Sequence, residues 1–165
     1  MSEQKAEIAP VVVNTVVSLP APDAYRLFTE GFASWWPLQS HSIAPGASKT
    51  CVFEAKEGGE IYEITQDDES HLWGTVGECV ESERLVFTWH PGREAATAQQ
   101  LEVLFDADGA VTHVELVHSG WETYGEGAEE TRDNYDGGWQ FVIGECFRNA
   151  AMRTDAERET RNAKR

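Results

Sequence analysis

The chain has 165 residues, 41% of them apolar and 10% aromatic, enough to enclose one core in one domain. Its 29 acidic side chains outnumber 13 basic ones, for a formal charge of −16, and such a surface repels phosphate backbones and anionic lipid headgroups alike. Nucleic acid is therefore not expected as a partner. With no run of about 18 apolar residues and no secretory signal in the polar start Met1 to Pro10, no membrane insertion is expected and the expected location is cytoplasmic.

Val11 to Ser18 is a β-branched run and predicts a strand. Leu19-Pro20-Ala21-Pro22-Asp23 ends it and opens a helix, because a proline in the first turn has no intrahelical bond to lose. Ala24 to Glu30 continues that helix until Gly31 interrupts it. Phe32 to Pro37 reads as a second short helix stopped by its proline, and Leu38 to Ser48 as a loop. Strands follow over Lys49 to Ala55, Glu60 to Thr65, His71 to Glu81, Leu85 to His90, Ala98 to Phe105 and Ala110 to Ser119. Gly58-Gly59 and Asp106-Ala107-Asp108-Gly109 supply turns, and Gly74 and Gly77 mark bulges or bends in the longest strand. Gly120 to Asp133, rich in Glu, is predicted to be an exposed loop, with Asn134 capping the last helix. That helix carries Tyr135, Trp139, Val142, Ile143, Cys146, Phe147, Ala150 and Ala151 at steps of three and four. The expected organisation is a disordered tail over 1–10, one domain over 11–152, and a polar, partly disordered end over 153–165.

This order predicts an α+β fold: a curved antiparallel sheet of about seven strands around one long C-terminal helix, with two short helices after the first strand. Short connections make the later strands a meander of neighbours, and one face of such a sheet must be buried. Period-two alternation places Leu85, Phe87 and Trp89 inward, with Leu101, Val103 and Phe105, with Val114, Leu116 and His118, and with Cys51 and Phe53. The phase of His71 to Glu81 is open, because apolar residues occupy both registers. A bent sheet gripping one helix, lined with large rings, is expected to leave an apolar cavity.

Trp35-Trp36-Pro37, Gly58-Gly59-Glu60-Ile61-Tyr62, Trp73-Gly74-Thr75-Val76, Arg84-Leu85-Val86-Phe87-Thr88-Trp89, Val114 to Trp121 and Gly138-Trp139 occur in an order that resembles the activator-of-heat-shock-protein-ATPase homologue family. That family lies within the START and polyketide-cyclase-like (SRPBCC) helix-grip superfamily, and the likeness spans roughly Val11 to Ala151. The resemblance implies the helix-grip fold with a cavity between helix and sheet. Superfamily members bind lipids, hormones or polyketides, and some are enzymes. Members that activate a chaperone ATPase carry an additional N-terminal domain without counterpart here, which places chaperone regulation second.

The chemistry-bearing residues are sparse. Cys51, Cys79 and Cys146 are widely spaced and read as reduced and mostly buried, and no CxxC, HxxxH or HExxH spacing supports a metal. No GxSxG elbow or phosphate loop is present, so no cofactor is expected. His118, inward near a strand end, is the first candidate acid or base, its alternative being a satisfied core histidine. Glu78 is the second, provided its strand turns the Leu72, Gly74 and Val76 phase inward; a bulge would send it to solvent. The expected ligand-lining set is Phe53, Phe87, Trp89, Val103, Leu116 and His118 from the sheet and Trp139, Ile143 and Phe147 from the helix. Trp35 and Trp36 join it as a lid or a core anchor, with Gly120 to Asp133 as the facing lid. The leading function is binding an apolar or aromatic small molecule. The alternatives are a chaperone regulator or other interaction module, and a cyclase- or hydrolase-type enzyme using His118 or Glu78.

Overall fold

The computed structural model describes residues 8–163. Strand β1 (Val11–Val17) is followed by α1 (Ala21–Thr29) and α2 (Phe32–Trp35). Six strands come next: β2 (Ser48–Phe53), β3 (Glu60–Thr65), β4 (Ser70–Val80), β5 (Arg84–Trp89), β6 (Gln99–Asp108) and β7 (Val111–Ser119). They form one curled, wholly antiparallel sheet in the order β1-β7-β6-β5-β4-β3-β2. The C-terminal helical segment comprises α3 (Ala128–Phe141), a π-helical stretch (Val142–Phe147) and α4 (Arg148–Ala163). This is the helix-grip architecture.

Alternation builds the concave face. Val11 pairs with His118, His118 with Leu101, Leu101 with Phe87, and Phe87 with Val76, a buried row across five strands. Val13, Leu116, Val103 and Leu85 make the next row. In β4 the phase changes twice. Register shifts opposite Ile61/Tyr62 and between Val76 and Glu78 accommodate an extra residue each, so Trp73 and Val76 both face inward although they are three apart. Gly74 is required beside the first bulge, since a Cβ there would lie 1.8 Å from the Thr88 carbonyl oxygen. The second bulge turns Glu78 to solvent, where Arg84 bridges it to Glu102 at 2.9 and 2.6 Å.

The last helix departs from expectation at its start. It starts at Ala128, not after Asn134, behind Gly127 in the left-handed conformation (φ 81°), and no side chain caps it. Glu129 and Glu130 lie in its first turn, where carboxylates complement the helix dipole. At the other end the helix runs on to Ala163, over the polar stretch for which a frayed helical end or disorder was expected. Of the expected tail, residues 1–7 lie outside the described residues. Ala9 and Pro10 are held in place, their carbonyls accepting from Arg132 at 3.0 Å each.

One end of the interior is filled with rings. Phe28 touches Phe32, Trp35, Phe53, Phe105 and Phe147, with centroids 5.1 to 6.3 Å apart, the spacing of favourable tilted and edge-on pairs. This plug ties α1, α2, the sheet and the last helix together.

Candidate functional site

Next to this plug, beyond the contacts of Phe32 with Trp36 and Trp73 (5.1 and 6.0 Å), helix and sheet leave a void. A cavity of about 340 Å³ opens there. Its buried wall is Trp36, Trp73, Trp89, Trp139 and Val142; its rim is His41, Ser42 and Ile43 on one side and Pro91, Gly92, Tyr135 and Gly138 on the other. The four indoles are in mutual contact: Trp36 lies 5.1 Å from Trp73 and 5.9 Å from both Trp89 and Trp139, and Trp89 lies 5.4 Å from Trp139. Tyr135 stacks on Trp139 at 23°. Each ring has a local cause. Trp36 is extended before Pro37, which ends α2; Trp73 is turned in by the first bulge; Trp89 closes the β5 alternation; Tyr135 and Trp139 are four apart on one helix face. No carboxylate lines the cavity. Burial lowers the His41 pKa and raises that of the Tyr135 hydroxyl, so both are neutral near pH 7.

The strap from residue 38 to 47, crossing one side of the mouth, is held by Glu63, which is fully buried. Its carboxylate accepts from the Ile43 and Ala44 backbone N–H groups (2.5 and 3.2 Å), from the Ser48 hydroxyl and from Trp73 Nε1 (2.7 Å). Burial pushes its pKa up, but these four donors outweigh burial and hold it below the ordinary carboxylate value. One anion thus joins the cavity floor to the strap. Trp36 Nε1 adds a second tie, donating to the His41 carbonyl at 2.7 Å.

His118 is fully buried and lies behind the cavity wall. Trp139 Nε1 donates to its Nδ1 at 3.0 Å. An indole nitrogen only donates, so the imidazole proton sits on Nε2 and goes to Gln99 Oε1 at 3.2 Å. Trp121 covers the ring at 4.2 Å and donates to the His118 carbonyl. Burial lowers the His118 pKa to about 3. The unfolded chain therefore takes up the proton that the folded chain refuses, and this contribution to stability falls as pH drops from about 6.5 towards 3. The expected slope is up to about 1.4 kcal/mol per pH unit. His118 ring resonances that stay constant from about pH 8 to pH 5 would bear out the neutral assignment; a midpoint near 6.5 would refute it.

Among the sequence-selected residues, Trp36, Trp89 and Trp139 meet at the cavity. Trp35, Phe53 and Phe147 belong to the aromatic plug. Phe87, Val103, Leu116 and Ile143 are packed into the core and do not line the void. His118 positions Trp139 and does not touch the void itself, and Glu78 is outside the sheet. The segment 120–133 contributes nothing to the rim: Trp121 is buried, Ala128 to Asp133 are helical, and the facing rim is Pro91, Gly92, Tyr135 and Gly138. Sequence reasoning missed Trp73, whose phase was open, and the strap residues His41, Ser42 and Ile43. It also missed Glu63, although the alternation Ile61, Glu63, Thr65 in β3 carried the signal.

Among the described residues no helix is long and apolar enough to cross a membrane, and no group of three or more His, Cys, Asp or Glu is placed to hold a metal ion. The fold is shared with solved structures. The anthrahydroquino-gamma-pyrone synthase Txn09 is 29% identical, over 81% of this chain and 90% of that one, with a TM-score of 0.56. CalC of Micromonospora echinospora, a self-sacrificing resistance protein, is 25% identical over 89% and 96%, with a TM-score of 0.65. Protein MLL2253 of Mesorhizobium loti, at 16% identity over 88% and 98% and a TM-score of 0.63, shares the fold. No curated protein matches the chain significantly. Residues 18–146, from the end of β1 into the last helix, match the family described as Activator of Hsp90 ATPase homolog 1-like protein, and the chain belongs to that family.

Proposed function

We propose that the protein binds a flat aromatic small molecule in the cavity between the sheet and the C-terminal helix. The observation that carries this reading is the lining: four tryptophans in the wall and a tyrosine on the rim around about 340 Å³. A ring-lined slot with few polar groups suits a fused-ring ligand, which gains from stacking and from leaving water. The likeness to Txn09, named as an anthrahydroquino-gamma-pyrone synthase, supports a polycyclic ligand. Binding is favoured over catalysis because neither His118 nor Glu78 faces the void.

Four of the six tryptophans line the cavity, so intrinsic fluorescence reports on it directly. Titration with tricyclic aromatics is expected to give a saturable change, with Trp89→Phe and Trp139→Phe removing most of it. The absence of any saturable response across such a panel would sink the proposal. The family description favours a second reading, regulation of a chaperone ATPase; an Hsp90 turnover rate unchanged by added protein would remove it.

A further inference from the structure

The last helix carries three glycines in its interior: Gly137, Gly138 and Gly144. Glycine is among the least favourable residues there, because it gives up the most backbone freedom and brings no side chain to pack. Elsewhere in the chain a glycine has a visible cause. A Cβ at Gly74 would lie 1.8 Å from the Thr88 carbonyl oxygen, and Gly127 is left-handed at φ 81°. The helical three have neither cause. None of them is left-handed, and a Cβ at any of them would meet no atom within 4 Å. Two of the three are not part of the cavity: Gly137 is exposed, and Gly144 lies beside Asn14 and Arg148. Gly138 lines the void.

Tyr135, Gly138, Trp139 and Val142 are three and four apart, so they share one face of the helix, and all four line the cavity. A side chain at 138 would therefore project into the void. One turn further on, Phe141 stacks on His41 of the strap, with centroids 5.5 Å apart at 30°, so helix and strap come together beside this point. We propose that Gly138 is the specificity-determining residue of the cavity: its missing side chain leaves the slot, between helix and strap, that the outermost ring of a fused aromatic ligand occupies. This rests on the cavity being a ligand site, as read above. The helix forgoes the stability an alanine would give because that room serves binding, the usual direction of conflict between stability and function. The surroundings suit a ring. Bare helix backbone at 138 lets a flat molecule lie close, Tyr135 and Val142 flank it, and no carboxylate lines the site. The room at this position thus sets how many fused rings fit.

Quinoline and acridine test this, since they share one chemistry and differ by one fused ring. In calorimetric titration of the full chain, Gly138→Ala is expected to weaken acridine binding about tenfold, the order of one extra methyl group forced into a filled site. Quinoline binding is expected to fall by less than about threefold. Thermal unfolding of the same variant is expected to show a Tm raised by about 2–4 °C, so the lost affinity is not lost folding. Gly137→Ala, next to it but off the cavity, is expected to raise Tm alike and to keep both affinities within about twofold of wild type. Equal effects of Gly138→Ala on acridine and quinoline, nil included, overturn the inference and leave the aromatic site standing. So does a Gly138→Ala protein with a lowered Tm or one that fails to fold, since the glycine would then serve the helix itself. Wild type that takes quinoline but not acridine also overturns the inference alone. Failure of both probes to bind wild type overturns the site reading, and the inference with it.

Discussion

Glu63→Ala is expected to lower the unfolding free energy by on the order of 4 kcal/mol, about 1 kcal/mol for each of the four donors it leaves unmatched. That is the low end of the range per donor, because the strap is near solvent and water can reach the freed N–H groups. Glu63→Gln keeps the volume but turns an amide donor towards other donors, so it is expected to lose about half as much. Urea unfolding monitored by tryptophan emission measures both. The pH dependence gives an independent check. A carboxylate whose folded pKa lies below its unfolded value stabilises fully above the unfolded value, about 4.5, and loses that contribution as pH falls through the folded one. Below about pH 4.5 wild type is therefore expected to lose stability relative to Glu63→Gln, closing part of the gap between them. A difference between the two that stays constant down to about pH 3 would mean the carboxylate is not the acceptor described here.

Trp139→Ala is expected to cost about 3–5 kcal/mol, as large aromatic truncations in cores do. It also strips the donor from His118 Nδ1, which burial keeps unprotonated. Trp139→Phe separates the two losses: it keeps a ring against Trp36 and Trp89 but removes the N–H, for about 1–2 kcal/mol. Both variants are expected to weaken aromatic ligand binding, the alanine form by about tenfold or more, the order of one stacked ring contact at a desolvated site. A Trp139→Ala protein with wild-type stability and affinity would show that the helix does not form this wall.

The legible parts of the fold were those governed by local alternation. In β5, β6 and β7 every residue predicted inward is buried, including His118, because these central strands pair without a bulge between them. β4 could not be phased, since two bulges reverse its alternation within a few residues, and only pairing with neighbours reveals where an extra residue is taken up. Asn134 looked like a helix cap, but Gly127 ends the preceding turn in a left-handed conformation and the helix begins there. The lining was expected to include Trp139, Ile143 and Phe147 of the helix. The void meets Trp139 but not Phe147, because Phe28, placed by α1, packs against Phe147, a long-range fact that no window of sequence contains. Glu63 was overlooked although its alternation with Ile61 and Thr65 pointed inward. A carboxylate in a strand reads as solvent-facing until a distant segment arrives with two backbone N–H groups to receive it.

The division of the interior into a filled plug and the open-mouthed void beside it has an evolutionary consequence. The plug around Phe28 and the buried rows of the sheet do not line the cavity, whereas Ile43, Pro91, Gly92, Tyr135 and Gly138 frame its opening and are not among the most deeply buried residues. Such a scaffold can change what it accepts by altering a handful of gatepost positions while its ability to fold is carried elsewhere. One architecture can then diversify across many chemistries without first being rebuilt.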